Sequence, residues 1–215
     1  MLSIKCFTVN PYQENTWLIS DSHGACAIID PGCYSASEQA EILEYVSSQK
    51  LTPVLLLNTH GHIDHMLGNA WAVSTFQIPF HTHRLVVNEL EVAPAWGTMM
   101  GLKAAPSPAP DHLLEEGDIV RVGEEELEVL FTPGHSEGHI SFFHRKEGHL
   151  FSGDVLFQQS IGRTDLPGGH YPTLMTTIHE KLLPLGDQVI VYPGHGPTTT
   201  LAAEKATNPF LMGRG

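Results

Sequence analysis

The stretch Pro53-Val54-Leu55-Leu56-Leu57-Asn58-Thr59-His60-Gly61-His62-Ile63-Asp64-His65 decides the reading of this chain. Residues 53–57 are apolar and short enough for a buried strand. The run then meets three imidazoles and a carboxylate within residues 60–65. In an extended chain His60 and His62 project to the same side. Asp64 and His65 come after the turn, at the start of a helix expected near 66–74, and can face a neighbouring position. One turn can therefore offer ligands to two adjacent metal ions. Gly61 removes a side chain where the backbone must bend close to an ion.

Three further strand ends carry ligand types. Thr132-Pro133-Gly134-His135 closes an expected strand over 127–131, Phe151-Ser152-Gly153-Asp154 closes one over 149–152, and Tyr192-Pro193-Gly194-His195 closes one over 188–192. Each places a glycine just ahead of a histidine or aspartate. A single turn histidine says little. Together with residues 60–65, these positions supply enough donors for two ions and deliver them to one edge of the sheets.

The rest of the chain fits around these points. Apolar strands are expected at 16–20 and 25–30, split by Asp21-Ser22-His23-Gly24. Ser35 and Glu38 have capping-box spacing ahead of a helix with Ile42, Leu43 and Val46 on one face. A helix near 84–92 follows. Residues 94–112 hold Pro94, Pro106, Pro108 and Pro110 with Trp96, Met99, Met100 and Leu102. They read as a mobile apolar flap, or as a surface loop whose apolar residues tuck onto the core. Hairpins are expected over 118–131 and 140–152. A helix with Leu174, Ile178 and Leu182 on one stripe and a last helix near 200–207 complete the order. Strands then helices, twice, without strict alternation, predict one domain over 1–215 of the α/β (α+β) class: two β-sheets packed face to face with helices outside.

Composition narrows the function. The chain has 215 residues, 41% hydrophobic, and a formal charge of −13. That charge disfavours nucleic acid and anionic lipid as partners. No apolar run is long enough to cross a bilayer, and residues 1–17 show no secretory signal. Cys6, Cys26 and Cys33 form no CxxC, and an odd count suits a reducing compartment; the expected location is the cytoplasm. Fourteen histidines outnumber the eleven lysines and arginines, which points to imidazole chemistry.

The set His60, His62, Asp64, His65, His135, Asp154 and His195 resembles the metallo-β-lactamase superfamily, from Ile28-Ile29-Asp30-Pro31-Gly32 to Tyr192-Pro193-Gly194-His195. Phe151–Phe157, Ile161-Gly162-Arg163-Thr164-Asp165 and Gly134–His139 look more narrowly like its glyoxalase II (hydroxyacylglutathione hydrolase) branch, in the short bacterial YcbL-like form. The resemblance implies an αββα sandwich and two divalent ions, Zn²⁺ first, with Fe or Mn compatible with the donors. It implies that His60, His62 and His135 hold one ion, that Asp64, His65 and His195 hold the other, and that Asp154 bridges them. The implied reaction is attack of a metal-bridging hydroxide on an S-(2-hydroxyacyl)glutathione such as S-lactoylglutathione. A thiolate leaves without a proton, whereas an amide nitrogen needs one. Asp64 is the residue expected to orient the nucleophile and later take up a proton.

Asp30 and Thr59 are candidates for hydrogen bonds to a ligand histidine or its loop. His139 is expected to be structural, or to support a ligand. Arg163 could meet a substrate carboxylate or pair internally with Asp165. The other histidines carry no motif. Only twenty residues follow His195, so no counterpart is expected for the C-terminal helical domain that binds glutathione in long glyoxalase II enzymes. The small-molecule thioester would be held otherwise, by the flap or by a second subunit, in a monomer or homodimer. Related persulfide dioxygenases also share Gly-Arg-Thr-Asp; their single iron would fall to His60, His135 and Asp154. Flavodiiron proteins have glutamate in place of His62, nucleases of this fold want basic clamps, and a true β-lactamase would be exported. A metal-binding protein without turnover is the non-enzyme alternative.

Overall fold

The computed structural model describes residues 1–213. Strands β1 (Ser3–Val9), β2 (Glu14–Ser20), β3 (Ala25–Ile29), β4 (Thr52–Leu57), β5 (Phe80–His83) and β6 (His112–Leu114) form one sheet in that spatial order. Its first three strands are antiparallel; β3, β4, β5 and β6 run parallel. The second sheet contains β7 (Ile119–Val122), β8 (Glu125–Phe131), β9 (Ile140–His144), β10 (His149–Gly153), β13 (Ile190–Pro193) and β14 (Thr199–Thr200). Its order is β14-β13-β10-β9-β8-β7, and β10 pairs parallel with β13. A small hairpin of β11 (Leu156–Phe157) and β12 (Ser160–Ile161) stands apart.

Alternation along the strands builds three apolar layers, because successive side chains point to opposite faces. Trp17, Ile19, Ala27, Ile29, Leu55 and Leu57 face Val120, Val122, Leu127, Val129, Phe142 and Phe151 between the sheets. Their neighbours Leu18, Ile28 and Leu56 point outward and meet Ile42 and Val46 of α1 (Ala36–Ser48), Met66 of α2 (Ile63–Met66), Ala72 of α3 (Asn69–Phe76), and Val86 and Leu90 of α4 (Val86–Met99). On the far side Leu130, Phe143, Leu150 and Val191 meet Leu174 of α5 (Tyr171–Thr177), Ile178 and Leu182 of the widened turn that continues it, and Leu201 of α6 (Leu201–Thr207). This is the expected sandwich of two mixed sheets between helices. Among the described residues no helix is long and apolar enough to cross a membrane.

Local expectations fare unevenly. The capping box at α1 forms as expected, with Ser35 Oγ accepting from Glu38 N–H at 3.2 Å and Glu38 Oε2 accepting from Ser35 N–H at 2.7 Å. The single helix expected near 66–74 is instead two, α2 and α3, broken at Gly68. That residue donates its N–H to Pro31 O at 2.7 Å, and a Cβ there would lie 2.8 Å from the same oxygen. The flap reading of 94–112 is corrected at its start: α4 runs through Pro94 to Met99. Leu102 is buried, while Trp96, Met99 and Met100 remain exposed. Strands β1, β5 and β6 had no distinct pattern, being short or mixed in polarity.

Cys26 and Cys33 are fully buried and Cys6 half-buried. Burial pushes the Cys26 thiol up to about 12, the Cys6 thiol up to about 11, and Cys33 higher than its ordinary range. The thiolate is the reactive form. Iodoacetamide at pH 8 should therefore leave the native protein unmodified over a period in which the urea-unfolded chain takes three labels. Early native labelling at Cys26 or Cys33 would contradict this packing.

Candidate metal centre

Strands β8, β10 and β13 point the same way, and β4 of the other sheet brings its C-terminal end to the same edge. The next residues after all four ends converge. Ligand atoms of His60, His62 and His135 lie within 4.8 Å of one another, as do those of Asp64, His65 and His195. Asp154 stands between the groups: Oδ1 is 3.4 Å from His65 Nε2, and Oδ2 is 3.5 Å from His135 Nε2 and 3.6 Å from His195 Nε2. All seven expected ligand residues come together.

The hydrogen-bond network fixes which nitrogen faces inward. Thr59 Oγ1 donates its one proton to Asp30 Oδ2 at 2.6 Å. At 2.9 Å from His60 Nδ1 it must therefore accept, which leaves His60 Nε2 as a bare lone pair. His65 Nδ1–H donates to Asp30 Oδ2 at 3.2 Å and His135 Nδ1–H to Arg163 O at 2.7 Å, so their Nε2 atoms also face inward. His139 does not join the triads. Its Nε2 accepts from Asp154 N–H at 3.1 Å and its Nδ1 donates to Thr132 Oγ1 at 2.9 Å, so it supports the backbone of Asp154.

Several observations fit this cluster to divalent cations. His60 Nε2 and Asp154 Oδ1 are buried without a hydrogen-bond partner, which native interiors avoid unless an ion or water completes them. Facing imidazole nitrogens stand 2.8 Å apart between His135 Nε2 and His62 Nδ1, and 3.3 Å apart between His65 Nε2 and His195 Nε2. A Cβ on Gly194 would run into Asp154 Oδ1 and sit 2.6 Å from His65 Cε1, so only glycine leaves that space open. Burial, reinforced by the neighbouring His65, holds His60 well below the usual imidazole range. Burial and His135 bring His62 down to about 4. Both are therefore neutral donors at pH 7. Burial opposes charge on Asp154 and His65 as well, yet the surrounding imidazoles keep Asp154 ionised, and the Asp154 and Asp64 carboxylates raise His65 well above its ordinary value. The pocket thus stabilises positive charge at its centre.

The supporting residues are only partly those expected. Asp30, at φ 49°, accepts from Thr59 N–H at 2.7 Å and Asn58 Nδ2 at 3.2 Å on one oxygen, and from Thr59 and His65 on the other. Arg163 contributes its backbone oxygen to His135, while its side chain forms a two-pronged pair with Asp165 at 2.7 and 2.8 Å. Gly61 has a different role from the one expected. A Cβ there would lie 2.5 Å from Glu89 Cβ, and its N–H donates to Glu89 Oε2 at 2.7 Å, so close packing of α4, rather than proximity to an ion, demands glycine. Glu89 was not singled out in the sequence, nor were Glu14 and Asn15. Glu14 is buried 3.8 Å from His65 Nδ1. Asn15 holds the His195 turn through Gly194 O at 2.7 Å and Gly196 O at 2.7 Å. Their available signal was polarity: Glu14-Asn15-Thr16 opens a strand that is buried throughout.

Two donor triads at the edge of such a sandwich define a metal-dependent enzyme fold, and the relatives of this chain make it a metallo-hydrolase. The chain belongs to the metallo-beta-lactamase superfamily, whose model matches residues 9–195. It is 43% identical to the "Probable metallo-hydrolase YqgX" of Bacillus subtilis (strain 168), covering 95% of each chain. It is 38% identical to the "Hydroxyacylglutathione hydrolase GloC" of Haemophilus influenzae, covering 98% of each. Among solved structures, BLEG-1 B3 metallo-beta-lactamase superimposes with a TM-score of 0.90 at 37% identity, covering 98% of this chain and all of that one. TTHA1623 in a di-iron-bound form gives 0.87 at 37%, covering 96% and 100%.

Proposed function

We propose that this metallo-hydrolase is a thioesterase of the glyoxalase II branch, cleaving 2-hydroxyacyl thioesters such as S-lactoylglutathione. His60, His62 and His135 would hold one ion and Asp64, His65 and His195 a second, with Asp154 placed to serve both. The observation that carries this reading is the placement of the Asp154 carboxylate within 3.4–3.6 Å of histidines from both triads. A single-iron centre on His60, His135 and Asp154 would leave Asp64, His65 and His195 without a task. The relative named hydroxyacylglutathione hydrolase supports the branch, and the neighbour named di-iron-bound supports a pair of ions, with zinc, iron and manganese all suited to these donors.

Two divalent ions would supply a water nucleophilic at neutral pH and an electrophilic contact for the carbonyl oxygen. The chain does the rest. Asp64 Oδ2 lies 3.1 Å from His195 Nε2, so the two would face the same ion, and the other carboxylate oxygen is left to orient the attacking water and then receive a proton. Thr59, Asp30 and Arg163 O hold the imidazoles of His60, His65 and His135 in place before substrate arrives. A thiolate departs unprotonated, which suits a cleft whose buried acids are committed to structure.

Plasma mass spectrometry should find about two ions per chain. S-lactoylglutathione hydrolysis should stop with chelator and return with added metal. Asp64→Asn should fold and lose about 10²-fold or more in kcat/KM. A protein carrying two ions that cleaves nitrocefin but no thioester would overturn the thioesterase reading in favour of lactam chemistry.

A further inference from the structure

The metal edge lies at the bottom of a cleft of about 490 Å³. One wall is the last half of α4 with the residue that caps its C-terminus, where Val92, Trp96 and Met100 follow at intervals of four and form one stripe. They are 50%, 44% and 51% exposed. Tyr12, Phe157 and Leu166 line the cleft with them, and the Phe157 ring lies edge-on to His195 at 6.1 Å. Large apolar side chains gathered uncovered around a reactive centre mark a binding surface rather than scattered exposure. The same helix grips the metal loop, since Glu89 holds the Gly61 N–H three residues before the stripe begins.

Away from the ion-facing residues the cleft offers little charge. Of its acidic lining, Asp64 and Asp154 are candidate ligands and Glu89 holds the Gly61 N–H, and among the described residues Arg163 is its only lysine or arginine. The Arg163 Nε and Nη2 atoms are both taken by Asp165. A thiol with free carboxylates, such as glutathione, would share that exposed guanidinium with Asp165. An uncharged hydrocarbon chain finds a ready wall.

We propose that the cleft is a binding site for an uncharged, apolar acyl chain laid along Val92, Trp96 and Met100, so that the preferred substrates are neutral aliphatic thioesters and Trp96 sets the chain-length preference. This rests on the thioesterase reading. S-lactoylglutathione then becomes a slow member of the substrate set.

The test compares S-lactoylglutathione with acetyl, butanoyl, hexanoyl and octanoyl thioesters of N-acetylcysteamine on the metal-loaded protein. The expected result is a rise in kcat/KM of about threefold to fourfold per methylene until the cleft is filled, mostly in KM, with the longer esters exceeding S-lactoylglutathione. Trp96→Ala should lose most on the longest chain and Trp96→Phe should restore much of it, with metal content per chain unchanged as the control for folding. The non-hydrolysable S-octyl thioether of N-acetylcysteamine, followed by calorimetry, should bind with a negative heat-capacity change and about tenfold more weakly to Trp96→Ala. A flat chain-length series, S-lactoylglutathione as the best substrate, or thioether binding indifferent to Trp96 would overturn the proposal, as would a stable dimer that covers the stripe. If the thioether binds in the Trp96-dependent way but no thioester is cleaved, the apolar site stands and the thioesterase reading fails.

Discussion

Asp154→Ala is expected to weaken binding of both metal ions by at least about 10²-fold and to lower hydrolysis by about 10³-fold or more. The Asp154 carboxylate reaches the inward nitrogens of histidines from both triads, with His65 Nε2 at 3.4 Å, His135 Nε2 at 3.5 Å and His195 Nε2 at 3.6 Å. Removing it takes one of two carboxylates from a centre proposed to hold two dications, so mutual repulsion between the ions is less well screened. Asp154→Asn keeps the shape and loses the charge, so it should fall between alanine and wild type. Metal retained per chain after dialysis measures the first effect, and initial rates at saturating metal measure the second. An alanine variant that keeps both ions would show that Asp154 is not the shared contact.

Asp30→Ala should produce the largest loss of stability, about 3–5 kcal/mol in urea melts of chelator-treated protein. Its two buried oxygens accept from Thr59 N–H, Thr59 O–H, Asn58 Nδ2 and His65 Nδ1 at 2.6–3.2 Å. Alanine takes this acceptor from all four donors and also places a Cβ residue without a short polar side chain at φ 49°. The proton order of the site loosens at the same time, because Thr59 no longer has to accept from His60. Metal affinity should drop about 10–100-fold. Asp30→Asn suits the left-handed backbone and still accepts on one oxygen, so about half of the loss should return. Wild-type stability in the alanine variant would mean that the Asp30 network is redundant.

How much of this was legible in the sequence differs between neighbouring residues. His60, His62, Asp64 and His65 were readable because ligand chemistry and local spacing coincide after a buried strand. His135, Asp154 and His195 were readable because each follows a glycine at a strand end, and strand ends of a parallel set meet at one edge. Asp30 and Thr59 were visible as polar residues in turns beside the motif. Glu89 was not, since a glutamate on a surface helix is commonplace until that helix is seen to pack on Gly61, 28 positions earlier in the chain. The end of α4 was misjudged for a related reason. Proline argues against a helix locally, but Val86, Leu90 and Ala93 bury one face of α4 in the core, and that packing carries the helix past Pro94.

By itself the sequence determined the donor types, their grouping at strand ends and the alternation that makes two sheets, because each of these depends on residues close together in the chain. Tertiary structure alone decided which imidazole nitrogen faces the ions, that Arg163 gives its backbone oxygen rather than its charge to the site, and that Trp96 and Met100 form a wall over the centre. Those features are contacts between segments tens of residues apart. Such contacts arise from how the layers pack, and no local pattern encodes them.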